Sequence, residues 1–341
     1  MLKILKTLSF KCILYMLIYK AIERQMIYMK RLLTNVLLFH KDSEIVKILL
    51  NNINYFKRIS TVIVEECNQY HNELTLKRNK TNYISLDETL KIVKNFLRTI
   101  DSAYPEILDK LLSNGIVNLY DIDDEESTKK YGKDAYYGRN NGNHTINVPI
   151  GHNIEDVFTI VHEFIHYTNC LNGLSVDGLL LTEAISISHE MLLYEYLKQN
   201  KMYEEDICSP IVLRLLSIES KSKAILNVIN EYERERSKSF KLTTLSENEK
   251  EARKNFHDLS AKIIYLIGET LAIHIYHNYR NGITTISELN DLNTHVNNNE
   301  HLESLNFVLK SFPDSEEIRE SIIYMRKELL KNREKTIKLQ K

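Results

Sequence analysis

The sequence predicts a mainly α-helical protein. Apolar residues recur at three- and four-residue spacings through most of the chain, and the helix-interrupting residues glycine and proline number only 9 and 4 among 341. Helix-start signatures also return at intervals along it. With 43% hydrophobic residues, the chain is long enough to bury a large core in one or two domains.

Residues 1–80 read as two or three helices forming an amino-terminal helical segment. Its first 20 residues are apolar, but Lys11 interrupts them and no small-residue cleavage site follows, which argues against a signal peptide. The longest uninterrupted apolar run, residues 12–19, falls short of the about 20 residues that a bilayer-crossing helix needs. An amphipathic helix packed on the body is expected, with no stable membrane span. The polar stretch 77–82 marks the boundary with a second region, residues 81–341. There Ser85-Leu86-Asp87-Glu88 reads as a capping box opening a helix that runs to about Thr99. A helix from Pro105 to Ser113 follows and stops at Asn114-Gly115. Between residues 116 and 151, glycines, tyrosines and short β-favouring runs (135–137 and 145–148) replace helical periodicity and predict a small sheet. A second capping box, Ser246-Glu247-Asn248-Glu249, opens another long helix, and Asp314 with Glu317 opens a basic carboxy-terminal one. No internal repeat supports a solenoid.

The formal net charge is -1 and the pI about 6.9, so no global basic field exists to hold a nucleic acid, and none is expected as a partner. Cys12, Cys67, Cys170 and Cys208 stand far apart without a C-x-x-C pair. This argues against a disulfide framework and a thiolate zinc site, and fits a reducing, cytoplasmic location.

The chemistry concentrates in one stretch. Asn153 can cap a helix beginning near Ile154, with Asp156 at the favourable third position. That helix carries Val161-His162-Glu163-Phe164-Ile165-His166, an H-E-x-x-H motif. At about 100° per residue, Val157, Val161, Phe164 and Ile165 gather on one side and the two histidines on the other. The helix is expected to be buried by the first face and to present two imidazoles from the second. Imidazoles one turn apart can share one Zn²⁺, and the glutamate between them then stands beside the metal's open position. A third ligand should come from another helix, brought alongside by turns at Asn172-Gly173 and Asp177-Gly178. On the following helix Glu183, Ser186 and Glu190 form one stripe among apolar neighbours, so its carboxylates need partners.

The combination of H-E-F-x-H at residues 162–166 with E-A-x-S-x-x-x-E at residues 183–190 resembles the oligoendopeptidase F and thimet oligopeptidase superfamily of zinc peptidases. The resemblance runs from about Thr81 to the carboxy terminus, as in a shortened member of that family. It implies a zincin-like helical peptidase fold with a small β-sheet next to the zinc helix. It also implies one zinc per chain held by His162, His166 and Glu183, with Glu190 orienting a ligand histidine. Glu163 would activate the attacking water and return its proton to the leaving amine. In relatives, tyrosine and histidine on a late helix stabilise the oxyanion; here residues 255–268 resemble that segment, and His257 and Tyr265 are the candidates.

Two departures stand out. Ile165 replaces the glycine usual before the second zinc histidine, and the glycine-lysine loop pattern is only loosely kept around Gly132-Lys133. The expected activity is that of a metalloendopeptidase acting on short unstructured peptides, with residues 144–148 as an edge strand for strand addition. The competing expectation is a catalytically silent helical interaction protein that retains the peptidase fold. His274 and His277 are read as packing residues.

Overall fold

The computed structural model describes residues 49–68, 82–140, 143–171, 179–204, 206–236, 249–283 and 313–339. The expected amino-terminal amphipathic segment, most of the 77–82 boundary, the turns at residues 172–178 and residues 246–248 of the second capping box lie outside them.

Helix dominates the described chain, in the order α1 (Ile53–Asn68), α2 (Leu86–Ile100), α3 (Tyr104–Ser113), strand β1 (Val117–Asp121), α4 (Glu125–Tyr131), β2 (Tyr136–Asn140), β3 (Asn143–Ile150), α5 (Ile154–Leu171), α6 (Leu179–Gln199), α7 (Cys208–Arg236), α8 (Glu249–Arg280) and α9 (Ser315–Leu339). The described residues form two compact units, one drawn from the chain up to Thr61 and from Lys221–Ile263, the other from Val62–Ser220 and Ile264–Lys341. In the first, Lys57 of α1 pairs with Glu233 of α7 at 2.5 Å. No described helix is long and apolar enough to cross a membrane.

The local signals act where the sequence places them. The Ser85 hydroxyl accepts the Glu88 N–H at 3.3 Å and starts α2, which buries Ile92, Val93, Phe96 and Leu97. Helix α3 ends in a Schellman arrangement: Gly115, at φ +67°, donates to the Leu112 carbonyl and Ile116 to that of Leu111. A β-carbon is disfavoured in that left-handed conformation, which is why glycine sits there. Asp314 and Glu317 make a complete reciprocal box, each backbone N–H donating to the other's carboxylate at 2.7 and 2.9 Å, and α9 follows.

The sheet is small, as expected, but its order is β1-β3-β2. Strand β3 is central, pairing parallel with β1 (Ile146 opposite Val117) and antiparallel with β2 (Ile146 opposite Tyr137). Residues 144–148 therefore cannot be an edge: their N–H and C=O groups face neighbours on both sides. Strand β2 is an outer strand instead. Ile146, Val148 and Ile150 of β3 are buried, and the buried Asn147 accepts from the Asn118 side chain at 3.0 Å. Helix α5 packs on β3, β2, α2 and, most extensively, α6.

Candidate metal centre

The start of α5 is fixed by two side chains. Asn153 Oδ1 accepts the Glu155 N–H at 2.8 Å, while Asp156 accepts the N–H of Gly151 on one carboxylate oxygen and of Asn153 on the other, each at 3.0 Å. This sets the helix phase two turns before the motif. Val157, Val161, Phe164 and Ile165 are at most 1% exposed. The imidazole face is enclosed as well, with His162 8% and His166 9% exposed. Helix α6 packs against α5, and its residues from Thr182 to Glu195 are buried, polar ones included. Ile165, the departure from the family pattern, fits inside this packing.

His162 Nε2 and His166 Nε2 point at each other's vicinity, 2.9 Å apart. Glu183 reaches both, Oε2 lying 3.6 Å from His162 Nε2 and Oε1 3.4 Å from His166 Nε2. Among the described residues, this trio is the group whose ligand atoms converge, all within 4.8 Å of one another. Ligands about 2.0–2.1 Å from a tetrahedral ion stand roughly 3.3 Å apart, so the observed spacing fits a metal. Glu183 Oε2 is buried without a hydrogen-bond partner, an atom that an ion would satisfy. Two imidazoles and a carboxylate are a donor set that suits zinc and related divalent ions.

Glu190, two turns beyond Glu183, makes the expected hydrogen bond to a histidine: its Oε1 lies 2.5 Å from His162 Nδ1. A carboxylate accepts, so the Nδ1 proton faces Glu190 and the Nε2 lone pair faces the trio. The surrounding charges keep Glu190 ionised, and so an acceptor. Burial pushes the Glu190 carboxyl up, but Arg214 and His162 outweigh it and hold the group at about 2. Burial pulls His162 down, yet Glu190, Glu183 and Glu163 together raise it. Glu183 is lowered, burial being overcome by the two imidazoles, whereas burial raises Glu163 against the same histidines. Buried carboxylates thus outnumber fixed cations here, an imbalance that a divalent ion offsets.

Glu163 and His162 line a cavity of about 360 Å³ whose wall includes Phe158, Arg214 and Tyr265. Tyr265 lines this cavity; burial and then the charges of Glu183 and Glu163 push its phenol up to about 12, so it stays a donor at neutral pH. His257 lies within α8, and its side chain is outside the described residues. His274 and His277 keep to packing: His274 faces Asn278 at 2.9 Å, and the His277 ring meets Tyr324 edge-on at 5.1 Å.

Sequence reasoning missed Arg214 and met Gly268 only as the end of the late-helix segment. Arg214 binds Glu190, and Gly268 lets α8 approach Glu183 closely. Arg214 carried a signal, a lone charge inside the apolar run Ile211-Val212-Leu213-Arg214-Leu215-Leu216.

The described chain is thus a mainly helical fold around a small sheet, with two histidines on one helix and a carboxylate from the next brought together. The chain is similar to a crystal structure from Bacillus anthracis str. Ames provisionally named an oligoendopeptidase F, with a TM-score of 0.53 and 13% identity over 84% of this chain. It spans 55% of that protein's chain. No protein-family model and no curated protein matches the sequence.

Proposed function

We propose that the protein is a zinc-dependent metalloendopeptidase that hydrolyses short unstructured peptides. The observation that carries this reading is the convergence of His162, His166 and Glu183, with His162 and Glu163 lining a cavity. His162, His166 and Glu183 would hold one zinc, with Glu190 fixing the His162 ring. Bound there, zinc would supply Lewis acidity toward the scissile carbonyl and the attacking water. Glu163, buried and raised above the usual carboxylate range, is suited to accept a proton from that water and to deliver it to the departing amine. Tyr265 would donate a hydrogen bond from its phenol to the oxygen on which negative charge develops.

Substrate entry is best served by β2. It packs on α5, it is an outer strand in the sheet order β1-β3-β2, and the Tyr137 ring stacks on His166 with centroids 6.5 Å apart. An extended peptide added there would lie beside the centre, whereas a folded protein cannot present its backbone in that way. Metal analysis of the purified protein, with a quenched-peptide assay of wild type and Glu163→Gln, tests the proposal.

A further inference from the structure

One side chain ties three helices to the centre without reaching it. Arg214 of α7 forks onto Glu190 of α6, Nε to Oε2 at 3.0 Å and an NH2 donor to Oε1 at 2.5 Å. Its other terminal nitrogen lies 3.7 Å from Glu269 Oε1 on α8, an oxygen that also accepts from Ser217, three residues further along α7, at 3.1 Å. Glu190 Oε1 therefore receives Arg214 from one direction and His162 Nδ1 from another.

We propose that Arg214 is a positioning residue of the metal centre: its fork fixes the plane of the Glu190 carboxylate and through it the ring orientation and tautomer of His162. The inference rests on the reading of His162 as a zinc ligand. Glu190 is 2% exposed, so nothing from solvent can orient it. A carboxylate bound at one oxygen still swivels about its last torsion; bound at both oxygens by a planar guanidinium it cannot turn without breaking both bonds. The lone pair left on Oε1 is then aimed where His162 Nδ1 sits. Arg214 also borders the cavity, yet its donors are turned to Glu190 and its third nitrogen toward Glu269. Its charge is thus balanced within the bundle, not offered to a substrate carboxylate. A purely structural tie between helices would look the same in the folded protein but would leave metal affinity untouched.

The test measures zinc affinity by chelator competition on the full chain, thermal stability of the metal-free protein, and the visible spectrum of the cobalt-loaded form. The variants are Arg214→Met, Arg214→Lys, Glu190→Gln and the double Arg214→Met/Glu190→Gln. Arg214→Met should weaken zinc binding at least about tenfold and shift the cobalt spectrum as Glu190→Gln does, with Arg214→Lys in between. The double variant should bind within about twofold of Glu190→Gln, because Arg214 acts through Glu190. Should Arg214→Met fail to fold, through the charge it strands on Glu190, the double variant and Arg214→Lys decide. Wild-type affinity in a folded Arg214→Lys or Arg214→Met overturns the inference. So does a double variant clearly weaker than Glu190→Gln. A wild type that takes up no zinc overturns the metal reading and this one with it, whereas normal zinc uptake with unaltered Arg214 variants overturns this one alone.

Discussion

Gly268 of α8 lies so close to Glu183 of α6 that a β-carbon there would stand 2.8 Å from the Glu183 Cβ and 3.2 Å from the Ala184 nitrogen. Only the missing side chain lets the two helices approach this far at Glu183. Gly268→Ala should therefore push Glu183 away from the imidazoles. Zinc affinity should fall at least about tenfold, and stability should fall by about 1–3 kcal/mol from overpacking. Isothermal titration and urea unfolding read the two effects; unchanged zinc binding would show that the approach does not set the third ligand.

Asp156 uses both carboxylate oxygens to hold the N–H groups of Gly151 and Asn153, and it is 5% exposed. An amide in its place turns a donor toward one of them. Asp156→Asn should cost about 1–3 kcal/mol and fray the first turn of α5, visible by urea unfolding and by faster amide exchange near residue 155. A loss below about 0.5 kcal/mol would mean that the turn is held by Asn153 alone.

If a peptide adds to the sheet as proposed, the reassignment of the outer strand from β3 to β2 places its backbone pairing along residues 136–140. N-methylation of a substrate amide that faces β2 should lower kcat/KM by about 3- to 10-fold for each bond lost, and methylation of the alternate amides should not. Equal tolerance at every amide would argue against strand addition.

Much of this was legible in the residues themselves, and what was not has physical reasons. Ser85, Asn153, Asp156 and Asp314 act on backbone groups a few residues away, so their effect is local and readable. The H-E-x-x-H spacing fixes two imidazoles within one helix. Glu183 and Glu190 were placed by their own spacing on a buried helix together with the family resemblance. Strand β1, Val-Asn-Leu-Tyr-Asp, is too short and too mixed in polarity to announce itself, and the centrality of β3 depends on a pairing 29 residues apart in the chain. Arg214 showed only as a lone charge in an apolar run, because its partner lies 24 residues upstream on another helix. The requirement for glycine at position 268 exists only once α8 and α6 have packed.

Tyr265 borders the cavity, and its phenol is held protonated well above neutrality. Tyr265→Phe should keep zinc and KM while lowering kcat by roughly 100- to 1,000-fold, as for loss of an oxyanion donor. Steady-state kinetics on a quenched peptide, with metal content measured in parallel, check this. A kcat within about threefold of wild type would remove Tyr265 from the chemistry and turn attention to His257.

Glu163 stands beside the trio without belonging to it, and replacing it separates catalysis from metal binding. Glu163→Gln should bind one zinc per chain with wild-type affinity and unfold like wild type, yet hydrolyse peptides at least about 100-fold more slowly, toward the 10,000-fold that a positioned general base contributes. The decisive measurement is the cleavage rate of a broad library of unstructured peptides by zinc-loaded wild type and zinc-loaded Glu163→Gln. Cleavage by the first and its loss in the second is the predicted result. A fully zinc-loaded wild type that cleaves nothing would contradict the account and favour a silent interaction protein, and equal cleavage by both would contradict the role of Glu163.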